Sequence, residues 1–425
     1  MIQRILTAAL FLLSFGLSAQ QTIIHCGKIF DASKGKLMNK KTIVVSGERI
    51  VSVQDGFVSP QKGEEFIDLS EQTVLPGLID MHVHIEHESN SESYRKRFVD
   101  NEADIAFESV VFAQRTLAAG FTTVRDLGGT GVNVALRNAI NAGKVKGPRI
   151  FTAEKSLAST GGHADPTNGM RKNLVGDPGP KEGVVNSVED AFKAVRQRYK
   201  NGADCIKITA TGGVLSVAKN GHNPQFTTEE IAAIVSTAND YGMHVAAHAH
   251  GDEGMFRAVT AGVKTIEHGT LMKERTMDLM KEKNAFLVPT ITAGKQVAEK
   301  ATIPGYFPAV IVPKALAIGP QIQKTFAKAY KRGVPIAFGT DAGVFPHGLN
   351  AKEFGYMVEA GMPAAVALQT ATLVNAKILQ QSTQLGQLAE GFYADIIAVN
   401  GNPLEEIGTL EKVVFVMKNG EVFKD

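Results

Sequence analysis

The stretch GLIDMHVHIEH, Gly77 to His87, decides how the rest of the chain is read. Alternate side chains of a strand share a face, so Asp80, His82 and His84 point one way while Ile79, Met81, Val83 and Ile85 point the other. Two imidazoles side by side on an apolar strand present two lone pairs, the arrangement that grips one cation. An HxH pair alone is also the pattern of a polar strand edge, so its meaning depends on the residues around it.

From Pro76 onward, short strand-like runs alternate with amphipathic helical patterns. The runs predict strands over 78–85, 122–127, 149–153, 205–211, 244–250, 265–268, 285–291 and 335–341, with helices such as 103–119, 188–200, 228–241 and 321–331 between them. Two further helical stretches, 351–359 and 363–372, follow the eighth strand. Eight such alternations argue for an α/β fold of the (β/α)8 TIM-barrel type rather than an open sheet. Helix-to-strand turns are tight and glycine-marked (AAGFTT, NGADC, YGMH, RGVP), whereas the strand-to-helix loops 155–186, 212–226 and 292–313 are long and polar. In a barrel those long loops crowd the rim that carries active sites. The barrel is expected over 76–383, and residues 21–75 and 384–425 read as one small β-sandwich domain built from both termini.

The first residues have Arg4, an apolar run from Ile5 to Leu17, and small residues up to Ala19, the layout of a cleavable signal peptide over 1–20. The mature protein is therefore expected to be secreted or periplasmic and to have no membrane span. Lysine plus arginine number 45 against 43 acids, so no basic field favours nucleic acid. The two cysteines, Cys26 and Cys205, lie in apolar strand-like segments and read as buried free thiols.

Strand parity extends the first observation. Lys207 shares a face with Cys205 and Thr209; His244, His248 and His250 share another; His268 and Asp341 fall near the ends of their strands. Seven of the eleven histidines lie in strands one, five and six or just beyond. A lysine in mid-strand would bury an ammonium, which is costly. Near two divalent cations its neutral amine is favoured and can add CO2, giving a carbamate that bridges two metals. Pairing with a buried acid such as Asp341 is the other explanation.

PGLIDMHVH, the lysine of IKITATGG, AAHAHG, IEHGT and GTDAG occur in this order on the expected strands. In this combination the chain resembles the amidohydrolase superfamily over nearly its whole mature length. STGGHAD and GTDAGVFPHGLNAKEF narrow the likeness to the binuclear Xaa-Pro dipeptidase and ochratoxinase-like group, which is related to imidazolonepropionases. The resemblance implies two divalent ions, zinc foremost: one held by His82, His84 and Asp341, the other by His248 and His268, with carboxylated Lys207 and a hydroxide bridging them. It implies that the hydroxide attacks an amide carbonyl, in a dipeptide or N-acyl amino acid with a free carboxylate, and that Asp341 carries the proton to the leaving nitrogen. A homo-oligomer, up to an octamer, is implied as well.

Among the loop histidines, His163 and His347 either bind substrate or are solvated. His222 is a candidate for donating a hydrogen bond during catalysis, and His250 for orienting His248 or meeting the substrate. His87 and His244 read as structural. A phosphate loop at Gly128–Gly131 is disfavoured because no lysine follows it. The competing functions are a mononuclear cyclic-amide hydrolase or deaminase, against which Lys207 argues, and a non-catalytic barrel, against which the complete ligand set argues.

Overall fold

The computed structural model describes residues 20–216 and 220–425, so all but the last residue of the expected signal segment lies outside the described residues. The N-terminal strands are β1 (Gln21–Asp31), β2 (Lys36–Ser46), β3 (Arg49–Asp55) and β4 (Glu65–Pro76). Seven inner strands then follow, β5 (Leu78–Val83), β6 (Phe121–Asp126), β7 (Arg149–Thr152), β8 (Ile206–Thr209), β9 (Val245–Gly251), β10 (Thr265–Leu271) and β11 (Phe286–Val288). The C-terminal strands are β12 (Ile396–Val399), β13 (Val413–Lys418) and β14 (Glu421–Lys424).

The two termini meet where β12 runs antiparallel to β4, pairing Ile396 with Pro76 and Val399 with Thr73. The expected sandwich is one hydrogen-bonded sheet of order β14-β13-β12-β4-β1-β2-β3. A bridge from Arg49 to Tyr393 brings the β3 edge back towards β12, over a core that includes Ile24, Ile43, Ile50, Ile396 and Phe415. Backbone pairing around that core, rather than two separate sheets, satisfies the polar groups of the short terminal strands.

The inner strands form two parallel sheets, β5-β6-β7 and β8-β9-β10-β11. Isolated bridges join Leu157 to Ile208, Leu287 to Ile336 and Val83 to Ala342 at the two seams. The predicted eighth strand therefore contributes single bridges instead of a regular ladder. Part of the reason is a contact from β5: Asp80 accepts hydrogen bonds from the Thr340 amide (3.1 Å) and hydroxyl (2.7 Å), and Asp341 adopts φ 61°.

Helices Glu102–Ala118, Val188–Asn201 and Thr228–Asp240 lie where their periodicity placed them. Thr228–Asp240 starts with a reciprocal cap in which the Thr227 hydroxyl accepts from Glu230 N and the Glu230 carboxylate from Thr227 N. It buries Ile231, Ile234, Val235 and Ala238 against the strands. The predicted helix from Gln321 begins at Val312 instead: Pro313 sits in its first turn, where proline is tolerated, and Pro320 lies inside it. Among the described residues no helix is long and apolar enough to cross a membrane.

Candidate metal centre

The ends of β5, β8, β9 and β10 and the segment around Asp341 converge on one mouth. The His268 ring lies 5.1 Å from that of His82, 4.7 Å from His248 and 4.9 Å from His250, centroid to centroid. Lys207 Nζ is 3.4 Å from His82 Nε2, and the Nε2 atoms of His82 and His84 each stand 3.5 Å from the same Asp341 Oδ1. Two groups have ligand atoms close enough for one ion: His82, His268 and Asp341, and His248, His250 and His268. The strand-end residues singled out by parity are thus brought together, and His250 stands among them rather than behind His248.

The partners of the rings decide which nitrogen faces the centre. His82 Nδ1–H donates to Glu267 Oε2 (2.8 Å) and His84 Nδ1–H to the Gly128 carbonyl (2.7 Å), which leaves both Nε2 lone pairs turned inward. His248 is reversed: its Nε2–H donates to the Gly212 carbonyl (3.1 Å), so its lone pair is on Nδ1. His268 and His250 are held through Nδ1 by the hydroxyls of Thr290 (2.7 Å) and Thr270 (2.8 Å).

Three residues of this frame take left-handed backbone: His268 (φ 73°), Asp341 (φ 61°) and Thr290 (φ 49°). Such conformations cost about 1–3 kcal/mol each and gather at functional sites. They have a geometric effect here. Glu267 shares a face with Thr265 and turns inward to Arg125, so regular pleating would send His268 the other way; its positive φ turns the ring back to the mouth.

Burial holds His82, His84, His248 and His268 well below the usual imidazole range, so all four are neutral and able to ligate. Burial also pulls the Lys207 amine down, opposed by Glu267 and Asp341, and pushes the Asp341 carboxyl up, opposed by Lys207. Asp341 Oδ1 is buried with no hydrogen-bond partner. A buried oxygen left without a donor, ringed by neutral imidazoles, fits a cation as the missing partner.

Glu267 and Arg125 were not singled out by the sequence reading. Both are fully buried, and Glu267 Oε1 accepts from Arg125 Nη2 (2.9 Å) while Oε2 holds His82. Arg125 also donates from Nε to the Met81 carbonyl (2.7 Å) and from Nη1 to His244 Nε2 (3.0 Å), which gives His244 its structural role. Glu267 stands inside the quoted IEHGT, but only the fold shows that its carboxylate reaches β5.

The loop histidines separate. His163 stacks on His248 with ring centroids 4.4 Å apart, and its buried Nδ1 has no partner. Gly213 makes room for it, since a Cβ there would lie 2.2 Å from the ring. His347 is corrected: its ring packs on Phe112, donates from Nε2 to the His87 carbonyl (3.1 Å) and meets the Thr116 hydroxyl through Nδ1, so it braces the loop and does not line the cavity. His222 is corrected as well; it is exposed and outside the cavity lining. His87, read as structural, opens onto the cavity together with Arg97, whose Nη2 donates to the Pro166 carbonyl (3.4 Å). The glycine nest at Gly128–Gly131 is filled from within, for the Glu86 carboxylate accepts from Thr130 N and Asn133 N at 2.6 Å each.

The model of the amidohydrolase family matches residues 73–423, which include every residue of this centre. The chain belongs to the amidohydrolase family. It is 31% identical to the ochratoxinase of Aspergillus niger over 437 aligned positions, covering 96% of this chain and 87% of that one. Among solved structures, a Xaa-Pro dipeptidase with methionine bound in its active site superposes with a TM-score of 0.93 at 52% identity, covering 96% of this chain and 100% of that one. A prolidase complexed with N-methylphosphonate-L-proline superposes at 0.86 with 34% identity, covering 95% and 100%. This amidohydrolase is accordingly an enzyme that hydrolyses amide bonds, and its histidine groups are suited to metal.

Proposed function

We propose that this amidohydrolase cleaves the amide bond of a dipeptide or N-acyl amino acid whose leaving half bears a free carboxylate. The observation that carries the reading is the buried Lys207 amine, 3.4 Å from His82 Nε2, within a ring of neutral imidazoles and facing the partnerless Asp341 Oδ1. Two divalent cations, zinc foremost, would be held by His82, His84 and Asp341 and by His248 and His268, with Lys207, carboxylated, between them. When bound, they supply Lewis-acid polarisation of the carbonyl and a water of lowered pKa. The inner strands are proposed to close into one (β/α)8 barrel through the bridges at Ile208, Ile336 and Ala342.

The chain's own groups have separate tasks. Asp341 takes the proton of the attacking water and returns it to the leaving nitrogen. His163, whose ring is part of the cavity wall, donates a ring N–H to the substrate carbonyl oxygen. Arg97 and His87 lie in the cavity wall, where the Arg97 guanidinium is available to a carboxylate. The likeness to a Xaa-Pro dipeptidase and a prolidase supports this substrate class.

The test compares each substrate with its C-terminal amide. Losing one charge-assisted contact should lower kcat/KM by about 1.5–3 kcal/mol, roughly 10- to 150-fold. Equal turnover of acid and amide would reject carboxylate recognition.

A further inference from the structure

Helix Ile291–Lys300 begins in an unusual way. A threonine just before a helix ordinarily sits in extended backbone and turns its hydroxyl onto the second or third amide of the first turn. Thr227 does so ahead of Thr228–Asp240, with φ −77° and its hydroxyl accepting from Glu230 N. Thr290, at the same place before Ile291–Lys300, has φ 49° and caps nothing with its side chain. Its hydroxyl meets His268 Nδ1 at 2.7 Å instead, and its amide donates to the Gly339 carbonyl (3.2 Å). The acceptor for the first amides comes from elsewhere. Glu353, in helix Lys352–Glu359 and the glutamate of GTDAGVFPHGLNAKEF, takes Ile291 N on Oε1 (2.8 Å). Its Oε2 takes both the amide (2.7 Å) and the hydroxyl (2.6 Å) of Thr292. Thr290, Ile291, Thr292 and Glu353 are all fully buried, so these amides depend on a protein acceptor.

We propose that Glu353 is a positioning residue of the metal centre: by capping helix Ile291–Lys300 from a distant segment, it leaves the Thr290 hydroxyl to accept the His268 Nδ1–H, which keeps the Nε2 lone pair for the ion. The inference rests on the reading of His268 as a metal ligand. The physical basis is a competition for one oxygen. Without the carboxylate, the local acceptor for the orphaned amides is the threonine hydroxyl in its ordinary capping position. Reaching that position needs extended backbone at Thr290, so φ 49° is given up and His268 loses its partner. The imidazole is then free to turn, or to carry its proton on Nε2, the nitrogen that must stay bare to ligate.

The test is a double-mutant cycle read by competitive zinc titration of metal-stripped enzyme, with Co²⁺ absorption as a second readout and urea unfolding of the apo form as the measure of stability. Glu353→Gln offers one acceptor oxygen where the helix uses two. Glu353→Gln and Thr290→Val should each weaken one zinc equivalent by about 10- to 100-fold, the range for partners that orient metal ligands. Combined with Thr290→Val, Glu353→Gln should weaken it by no more than about twofold further, because both act through one hydroxyl. A purely structural Glu353 would lower apo stability and leave zinc affinity alone. That result overturns the proposal, as does a loss that adds in full to the loss in Thr290→Val. Should Glu353→Gln fail to fold, Thr292→Val, which deletes one donor to the carboxylate, enters the same cycle and is judged by the same two results. It should weaken zinc beside native Thr290 and not beside Thr290→Val. Zinc held by His268→Ala as tightly as by the native enzyme overturns instead the reading of the centre on which this inference rests.

Discussion

Replacing Glu267 by glutamine tests whether the buried carboxylate orients His82. In the native arrangement Oε2 accepts the His82 Nδ1–H at 2.8 Å and Oε1 accepts from Arg125 Nη2 at 2.9 Å. Glutamine has one acceptor oxygen where the site needs two. If its oxygen faces His82, its amide N–H faces the Arg125 guanidinium, donor against donor. If it is flipped, the amide donates to His82 Nδ1 and drives the ring to the tautomer with hydrogen on Nε2, the atom that faces Lys207 and Asp341. Either outcome loses about one charge-assisted hydrogen bond, 1.5–3 kcal/mol. Outer partners of metal ligands typically contribute 10- to 100-fold in affinity, about 1.4–2.7 kcal/mol, so the two routes agree. The assay is a competitive zinc titration of metal-stripped enzyme, with Co²⁺ absorption as a second readout. One equivalent should weaken by 10- to 100-fold while the other keeps its affinity within about threefold. Because Arg125 loses its partner, urea unfolding of the apo form is measured in parallel, and Glu267→Gln combined with Arg125→Met should recover stability without recovering metal. If the single variant bound both equivalents as tightly as wild type, the argument that Glu267 orients His82 would be refuted.

Lys207→Ala should lose most bound metal and activity yet keep the native circular dichroism, and carbon-13 NMR in labelled bicarbonate should show a carbamate in the native enzyme; a fully loaded, active enzyme with an unmodified lysine would defeat the bridging role. In the terminal sheet, burial lowers the Lys418 amine to about 8 from 10.5, with Arg149 adding to the shift and Asp395, Glu421 and Glu48 opposing it. The folded protein thus gives up this proton more readily than the unfolded chain, so its stability rises as pH climbs from about 8 to 10.5. Lys418→Met should gain about 1–3 kcal/mol at pH 7 by urea denaturation, and the gain should shrink across that window; a gain constant from pH 7 to 10 would contradict it.

Much of the architecture was legible because it depends on local periodicity. Helix Val188–Asn201 follows from its apolar spacing and its Ser187 cap, whose hydroxyl accepts from Asp190 N, and β5 follows from the alternation in the opening stretch. The eighth strand was harder. Its residues Pro335–Asp341 read as a strand, yet Asp80 reaches across from β5 and takes hydrogen bonds from Thr340, an interaction between residues far apart in the chain. The helical pattern was read only over 321–331, whereas the helix runs Val312–Arg332; packing of Ala315, Ile322 and Phe326 outweighs the bond lost at Pro320.

The same distinction runs through the centre. Residue type and alternation by themselves put His82, His84, Lys207 and His248 on shared strand faces, and position near a strand end put His268 and Asp341 beside them, because the C-terminal ends of neighbouring parallel strands face the same way. Only the tertiary structure decided how they meet. The positive φ of His268 reverses the direction that pleating assigns, and no period of two encodes it. The tautomers of His82, His84 and His248 depend on Glu267, Gly128 and Gly212, acceptors brought up by other strands and loops. His347 braces a loop and His87 opens onto the cavity because exposure to a cavity is a property of the packed loops, not of the sequence that forms them. Alternation is local and survives in the one-dimensional string; orientation, tautomer and access are set by contacts between distant segments, which exist only once the chain has folded.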